Sequence, residues 1–484
     1  MAKRATITFF CKQCGHETSR WEGRCPACQE WDALVEAPKE AEPVITKKGR
    51  GTTRLSTAAP HQGLKPLLEH AREKLPRISV PIGEFHRVLG GGIVPGGSVL
   101  IGGEPGIGKS TLMLQLLGAL AASKQKDGTA GWLYITGEEA PSQIAARGLR
   151  LLGEEAESKG GAFNFRHERL KLASETDLQA ILDMLNTERP QLAVIDSVQT
   201  LRDPSVNSAP GSVSQVRECA MALVDAARQL HCAVFLIGHV TKDGTIAGPR
   251  VLEHIVDTVL NFEGETRLDL RCLRSIKNRF GRTDEVGFFE MTQTGLVEVP
   301  DPSAALIDRE GAQDKGAGSA IGALSEGTRV LLIELQALCV PVPGGGSPRR
   351  KGSGVDANRL AQILAVLEAR AGVPFGALDV FASAAGGFRI EEPAADLPLA
   401  LALASVATGR PVREGVVAAG EIGLGGEVRP VPRLEARIAE AARLGFKSLL
   451  IPARGRSHPA KVSGVQLLRA RTLREALALA LSGG

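Results

Sequence analysis

The sequence predicts an α/β chain: a nucleotide-binding core built on a parallel sheet, a small four-cysteine head before it, and a second α/β domain after it. Three observations carry that expectation. Residues 101–112 read IGGEPGIGKSTL, a glycine-rich turn between an apolar strand and a helical stretch. Residues 66–300 alternate short apolar runs with amphipathic stretches, the pattern of βαβ units. Four of the eight cysteines fall within the first 28 residues, as Cys11, Cys14, Cys25 and Cys28.

At 484 residues the chain is too long for one ordinary core, so two or three domains are expected. A 43% hydrophobic fraction with 23% charged residues marks a globular protein. The 58 lysines and arginines against 54 acids leave a net charge of only +4, so any nucleic-acid surface must be local. Aromatic residues at 4% argue against a stacking platform as the main binding device. No apolar run reaches the roughly 18 residues of a membrane span. MAKRATITFF lacks the apolar stretch and cleavage site of a signal peptide. A cytoplasmic protein with no membrane partner is expected.

The head, residues 1–35, holds two C-x-x-C knuckles separated by ten residues. In a reducing compartment such knuckles hold metal rather than disulfides. Four thiolates around Zn²⁺ close a tetrahedral site with no position left for water, so the ion is structural. A unit this small cannot bury enough core without it. Trp21 and Trp31 are expected to pack the tiny core. Residues 36–65, rich in Pro, Lys and Thr without periodicity, read as a linker.

In the core, 66–300, the apolar runs are SVLIGG, WLYITG, LAVIDS, AVFLIGH and RLDLRCL. Gly103, Glu104, Pro105, Gly106, Ile107, Gly108, Lys109, Ser110 and Thr111 fit G-x-x-x-x-G-K-[ST] and extend one residue past it. Backbone amides of such a loop curl around phosphate oxygens, the lysine reaches the β- and γ-phosphates, and the Ser110 hydroxyl holds Mg²⁺. The helix starting near Lys109 adds its dipole. ATP and Mg²⁺ are therefore expected. Asp196, at the end of LAVIDS, fits the second Mg²⁺-holding carboxylate. Glu138 and Glu139 close the strand between the two motifs; either could polarise the attacking water, and Glu138 is preferred. His239 follows the next apolar strand, and reads equally as a γ-phosphate sensor or as a histidine satisfied at a strand edge.

These residues together resemble the RecA/DnaB class of ring- or filament-forming ATPases and, more closely, the bacterial RadA (Sms) family. The resemblance spans essentially the whole chain. It rests on the four-cysteine head, GEPGIGKST, Lys277-Asn278-Arg279-Phe280-Gly281, the run GHVTKDGTIAGPRVLEHIVDTVLNFEG, and a tail similar to the proteolytic domain of Lon. It implies a RecA-like P-loop core, a C4 zinc finger and a Lon-protease-like α/β domain. It implies that Lys277 and Arg279 reach the nucleotide of an adjacent protomer in a homohexamer ring. It also implies a DNA-dependent ATPase and helicase in homologous recombination and repair, promoting branch migration on single-stranded and branched DNA, with a RecA-type recombinase as partner.

Residues 301–325 read as a second linker, and 326–484 as the Lon-like domain. Lon-type proteolysis uses a serine in D-G-P-S-A-G and a lysine in P-I-G-G-L-K-E-K. The matching stretches here are Glu391–Asp396 and Pro430–Arg437, which place Ala394 and Glu435 at those two positions. Neither can do the chemistry, so an ATP-dependent protease is rejected. DNA contact is expected at Arg349, Arg350 and Lys351 in a glycine-rich loop. Two mobile loops, roughly 202–214 and 241–250, are expected to contact DNA, with Lys242 and Arg250 of the second as the candidates for phosphate contact. Two further alternatives are a recombination mediator that binds ATP only as a switch, and a clock-type signalling ATPase, whose relatives lack this head and tail.

Overall fold

The computed structural model describes residues 9–11, 17–18, 20–26, 31, 34–36, 76–123, 131–152, 169–238, 250–264, 270–307, 316–342, 346–385, 388–455 and 464–482. The chain divides into two compact units, residues 1–74 with 212–214, and the remainder.

In the first unit β1 (Phe9–Cys11) lies between β2 (Glu17–Thr18) and β3 (Leu34–Glu36), antiparallel to both. Cys25 is buried. Trp21 and Trp31 correct the expectation of a packed core: they are 58% and 69% exposed, and the Arg24 guanidinium lies over the Trp31 ring. So few residues leave no interior large enough for two indoles.

The second unit carries two sheets. The first uses α1 (Gly83–Val88), β4 (Ser98–Gly103), α2 (Lys109–Ala122), β5 (Trp132–Thr136), α3 (Pro141–Leu152) and β6 (Leu170–Ser174). It continues through α4 (Leu178–Glu188), β7 (Leu192–Asp196), α5 (Val213–Leu230), β8 (Ala233–Ile237), α6 (Arg250–Ile255) and β9 (Thr258–Glu263). Its last strands are β10 (Leu270–Asn278), β11 (Val286–Thr292) and β12 (Gly295–Glu298). The strand order is β12-β11-β10-β9-β4-β8-β7-β5-β6. Strands β9 through β6 are parallel, and β10 to β12 extend the sheet antiparallel. β4, β5, β7 and β8 are buried at every residue, as strands covered on both faces must be. Leu112 and Leu116 of α2 pack on one face with Phe235; Ile181 of α4 and Leu223 of α5 pack on the other.

The second sheet has order β15-β16-β14-β13-β17-β20-β21. Its elements are α7 (Pro302–Leu306), β13 (Ser319–Glu326), β14 (Arg329–Pro341), β15 (Arg350–Ser353), α8 (Ala357–Val366), β16 (Leu378–Ala384) and α9 (Asp396–Thr408). Then follow β17 (Val416–Ala418), a small hairpin of β18 (Glu421–Ile422) and β19 (Val428–Arg429), α10 (Leu434–Arg443), β20 (Ser448–Pro452), β21 (Gln466–Ala470) and α11 (Leu473–Ala480). The first half of α9 is buried all round, packed on β13 and β14.

Two expectations are corrected here. Residues 301–325 are not simply a linker: Asp301 caps α7 through the Ala304 amide, and Ser319–Glu326 is a full strand. Its composition, SAIGALSE, is poor in β-branched and aromatic residues and hides it from pattern reading. The glycine-rich stretch before 354 likewise contains strand β15, which pairs parallel with β16.

The two sheets share a core. Val286 and Phe288 of β11 pack in one cluster with Leu331, Leu360, Phe375 and Leu399. Truncating Phe288, which is fully buried, is expected to cost about 3–5 kcal/mol. Urea unfolding of Phe288→Ala followed by far-UV dichroism should show both α/β regions melting at lower denaturant.

Candidate nucleotide-binding site

The site forms at the carboxyl ends of β4, β5 and β7, where helices begin. Gly108 is the residue preceding α2 and has φ +114°, the left-handed region. That backbone conformation favours glycine, and a Cβ there would also push Met291 Cε, 2.7 Å away, aside. Glu104, Pro105 and Gly106 are exposed while Lys109 is buried beneath them. Lys109 Nζ donates to the carbonyls of Gly103 and Glu104, each at 2.9 Å. Burial lowers the Lys109 ammonium to about 8, against the pull of Asp196 and Glu138. A phosphate brought to the loop therefore meets an ammonium already desolvated.

Asp196 ends β7 and is buried. The Tyr134 hydroxyl, from the neighbouring strand β5, donates to Asp196 Oδ2 at 2.5 Å and also interacts with the Ser110 hydroxyl. Burial, then the Asp196 charge, push the Tyr134 phenol far above its ordinary range, so it stays a donor. One phenol thus joins the two groups suited to Mg²⁺. The oxygen-only donor set fits a hard divalent cation.

The GEE turn is fixed by Thr136, whose hydroxyl accepts from the amides of Glu138 and Glu139 and donates to the Glu139 carbonyl. The two acids then diverge. Glu139 is paired with Arg147 of α3 at 2.6 Å. Glu138 is exposed at the site and accepts from the Ser197 hydroxyl at 2.5 Å.

Lys277 and Arg279 lie elsewhere. Gly103 is level with Phe262 of β9, whereas Lys277 is level with Val259 and Asn278 with Thr258. The pair therefore sits toward the opposite end of the sheet, on the order of 15 Å from its own phosphate loop at about 3.3 Å per residue. Lys277 Nζ donates to the carbonyls of Glu253 and Val256, at the end of α6, at 2.5 and 2.7 Å. Arg279 is half exposed and pairs with Asp257 at 3.2 Å. The intervening residues are scaffolding. Asn278 Oδ1 accepts from the Phe280 amide at 2.9 Å and its Nδ2 donates to the Leu89 carbonyl at 3.3 Å.

Three sequence-family models match the chain: a rubredoxin metal-binding domain at 9–36, an AAA domain at 77–245, and the Lon protease (S16) C-terminal proteolytic domain at 381–481. The DNA repair protein RadA of Synechocystis is 45% identical over 99% of this chain and 95% of its own length. The chain belongs to the RadA family. RadA of Halalkalibacterium halodurans is 44% identical over 99% of this chain and 100% of its own, and that of Bacillus subtilis 42% over 98% of each.

Within this chain the Lon-type positions carry no reactive pair. Ala394 is buried in a short turn ahead of α9, and Glu435 is exposed on α10. The DNA-contact candidates fare unevenly. His239 and Lys242, with 241–249, lie outside the described residues, and Arg250 begins α6 with its side chain outside them. The 202–214 loop is not the unanchored segment expected. Buried Gln215 accepts from the Asp203 amide and donates to the carbonyls of Asp203, Val206 and Ser208, at 2.9 to 3.1 Å. Arg349 and Arg350 are also corrected. Arg349 forks onto Asp379, and Arg350 donates to the carbonyls of Leu378 and Phe375. Their guanidiniums hold β15 against β16: Arg349 stays exposed but is engaged by Asp379, Arg350 is half-buried, and Lys351 is exposed. Of the zinc candidates, Cys14, Cys28 and the Cys11 side chain lie outside the described residues.

Sequence reasoning missed Tyr134 and Ser197. Tyr134 is the single tyrosine of the chain, but inside an apolar strand it reads as core. Tyr134→Phe is expected to raise the Mg²⁺ concentration needed for half-maximal binding of a fluorescent ATP analogue about three- to tenfold. Analogue affinity without Mg²⁺ should stay unchanged.

Proposed function

We propose that this chain is an ATP-driven motor on single-stranded and branched DNA, promoting branch migration in recombinational repair. The relatives' description as DNA repair proteins supports the setting. The observation that carries the mechanism is the separation of Lys277 and Arg279 from their own phosphate loop on one sheet. Cations so placed cannot serve the site they share a chain with, but can serve the site of a neighbour in a ring. This favours a head-to-tail ring, for which six subunits is the number we propose.

In that assembly the amides of Gly103–Ser110 and Lys109 hold the phosphates of ATP. Ser110 and Asp196 would hold Mg²⁺, which would supply charge neutralisation at the phosphates. Glu138, held by Ser197, orients and polarises the attacking water. Lys277 and Arg279 of the adjacent protomer stabilise the charge that spreads over the γ-phosphoryl oxygens. Lys277 would have to exchange the α6 carbonyls for that phosphate. Because α6 directly follows residues 241–249 in the chain, the exchange would offer a route from hydrolysis to a segment proposed to contact DNA. Lys242, Arg250 and Lys351 remain the candidates for phosphate contact. The head, with Zn²⁺ on Cys11, Cys14, Cys25 and Cys28, would dock a RecA-type recombinase. The Lon-like region is not a protease, because Ala394 offers no nucleophile.

Unwinding of a forked DNA and ATP turnover with and without single-stranded DNA test this reading. Lys109→Ala should lose ATP binding. Glu138→Gln should bind ATP yet turn it over at least about a hundredfold more slowly. Lys277→Ala should likewise bind ATP and lose about a hundredfold or more in turnover. Undiminished hydrolysis by Lys277→Ala would rule out the assignment across protomers. Degradation of casein by the wild type would rule out the non-proteolytic one.

A further inference from the structure

The Lon-like region has lost its reactive pair, but the residues beside those two positions have taken a different job. Glu392 lies two residues before Ala394, and Arg437 two after Glu435. Arg437 is completely buried. Its guanidinium donates to both oxygens of Glu392 and to the Ala323 carbonyl. Glu392 Oε2 also accepts from the Ser325 amide at 2.6 Å. This ion pair, with Arg437 buried and Glu392 half-buried, therefore fastens the end of β13.

Just beyond it the β13–β14 turn, Glu326–Arg329, reaches across to the ATPase sheet. Thr328 donates through its amide to the Asp284 carbonyl at 2.7 Å and through its hydroxyl to Glu285 Oε2 at 2.7 Å. Arg274 of β10 pairs with Glu326 at 2.5 Å, and Arg329 donates to Glu84 of α1 at 2.8 Å. Gly327 has φ +58°, and a Cβ there would fall 2.0 Å from the Asp284 carbonyl oxygen. The backbones meet too closely for any other residue.

Arg433 closes the clasp. It sits at φ +56°, a region that side chains rarely adopt. The Lon-type segment P-I-G-G-L-K-E-K has glycine at the matching place. Here an arginine takes the strained backbone, and its guanidinium donates to the Gly327 carbonyl and to Asp284 Oδ2 at 2.9 Å. Strain kept where a glycine would relieve it points to a side chain that is needed. What it holds is the turn Arg282–Glu285, the continuation of Lys277–Gly281.

We propose that the Lon-like region is a strut for the cations acting across protomers, with Gly327 and Arg433 as positioning residues for Lys277 and Arg279. The dead proteolytic centre anchors the strut, the β13–β14 tip transmits its position, and the Asp284 turn receives it. This rests on Lys277 acting on a neighbour's nucleotide.

Arg433→Gly tests it, because glycine suits the backbone and removes only the clasp. In the full-length protein, single-stranded-DNA-stimulated ATP turnover is expected to fall about tenfold. Affinity for a fluorescent ATP analogue, and the mass of the assembly by light scattering, should stay as in the wild type. Combined with Lys277→Ala it should lower turnover no further than Lys277→Ala alone, since both changes disable one device. Asp284→Asn, which keeps the carbonyl that Thr328 uses, should repeat the pattern if Arg433→Gly loses its fold. Wild-type turnover in Arg433→Gly beside a disabled Lys277→Ala would overturn the strut and leave the action across protomers standing. Losses that multiply in the double variant would also overturn it. Full turnover in Lys277→Ala itself would remove both.

Discussion

Strand β9 lies between β4 and β10, parallel to the first and antiparallel to the second. That arrangement dictates where chemistry can happen. β4 delivers the phosphate loop at its carboxyl end, and β10, running the other way, delivers Lys277 toward the opposite end. Backbone hydrogen bonds hold the register, so no side-chain movement within one chain can bring the two together. A one-residue slip of β10 would turn its alternately buried residues to the wrong face. Under the proposed function, each subunit would donate cations at one end of this sheet and accept them at the other.

Around the acceptor end, buried polar groups are tied to one another. Tyr134 bridges Ser110 and Asp196, Thr136 shapes the turn bearing Glu138, and Ser197 holds the Glu138 carboxylate. Polar groups so deeply placed cost much if unsatisfied, and their mutual bonds leave little freedom of geometry. At the donor end the order reverses: Lys277 and Arg279 are partly exposed, and their partners, α6 carbonyls and Asp257, belong to the same chain. One end is preorganised and the other exchangeable, which is what the proposed completion of the site by a neighbour would require.

Much of this was legible in the sequence because the relevant signals are local. The phosphate loop, Asp196 and Glu138 stand at the ends of fully apolar strands, where motif and strand agree. The degenerate positions Ala394 and Glu435 were legible for the same reason. What stayed hidden depends on contacts between distant segments. Arg349 and Arg350 read as free cations until Asp379, some thirty residues on, is folded against β15. The 202–214 loop reads as mobile until Gln215 is seen gathering its carbonyls. Ser319–Glu326 lacks the side chains that mark a strand and is fixed by pairing with β14. No single-residue signal marks Arg433 as a clasp, because its meaning lies in a turn about 150 residues earlier in the chain.

The most direct measurement is subunit complementation. Lys109→Ala keeps its cations but cannot hold phosphate; Lys277→Ala holds phosphate but lacks a cation for its neighbour. Each alone should be nearly inactive with single-stranded DNA present. Mixed in equal amounts and allowed to exchange, random rings place an intact loop beside an intact cation at about a quarter of their seams. ATP turnover should then recover to roughly that fraction of the wild-type rate. A mixture that stays inactive although light scattering or labelled subunits show that the rings have exchanged would contradict the account.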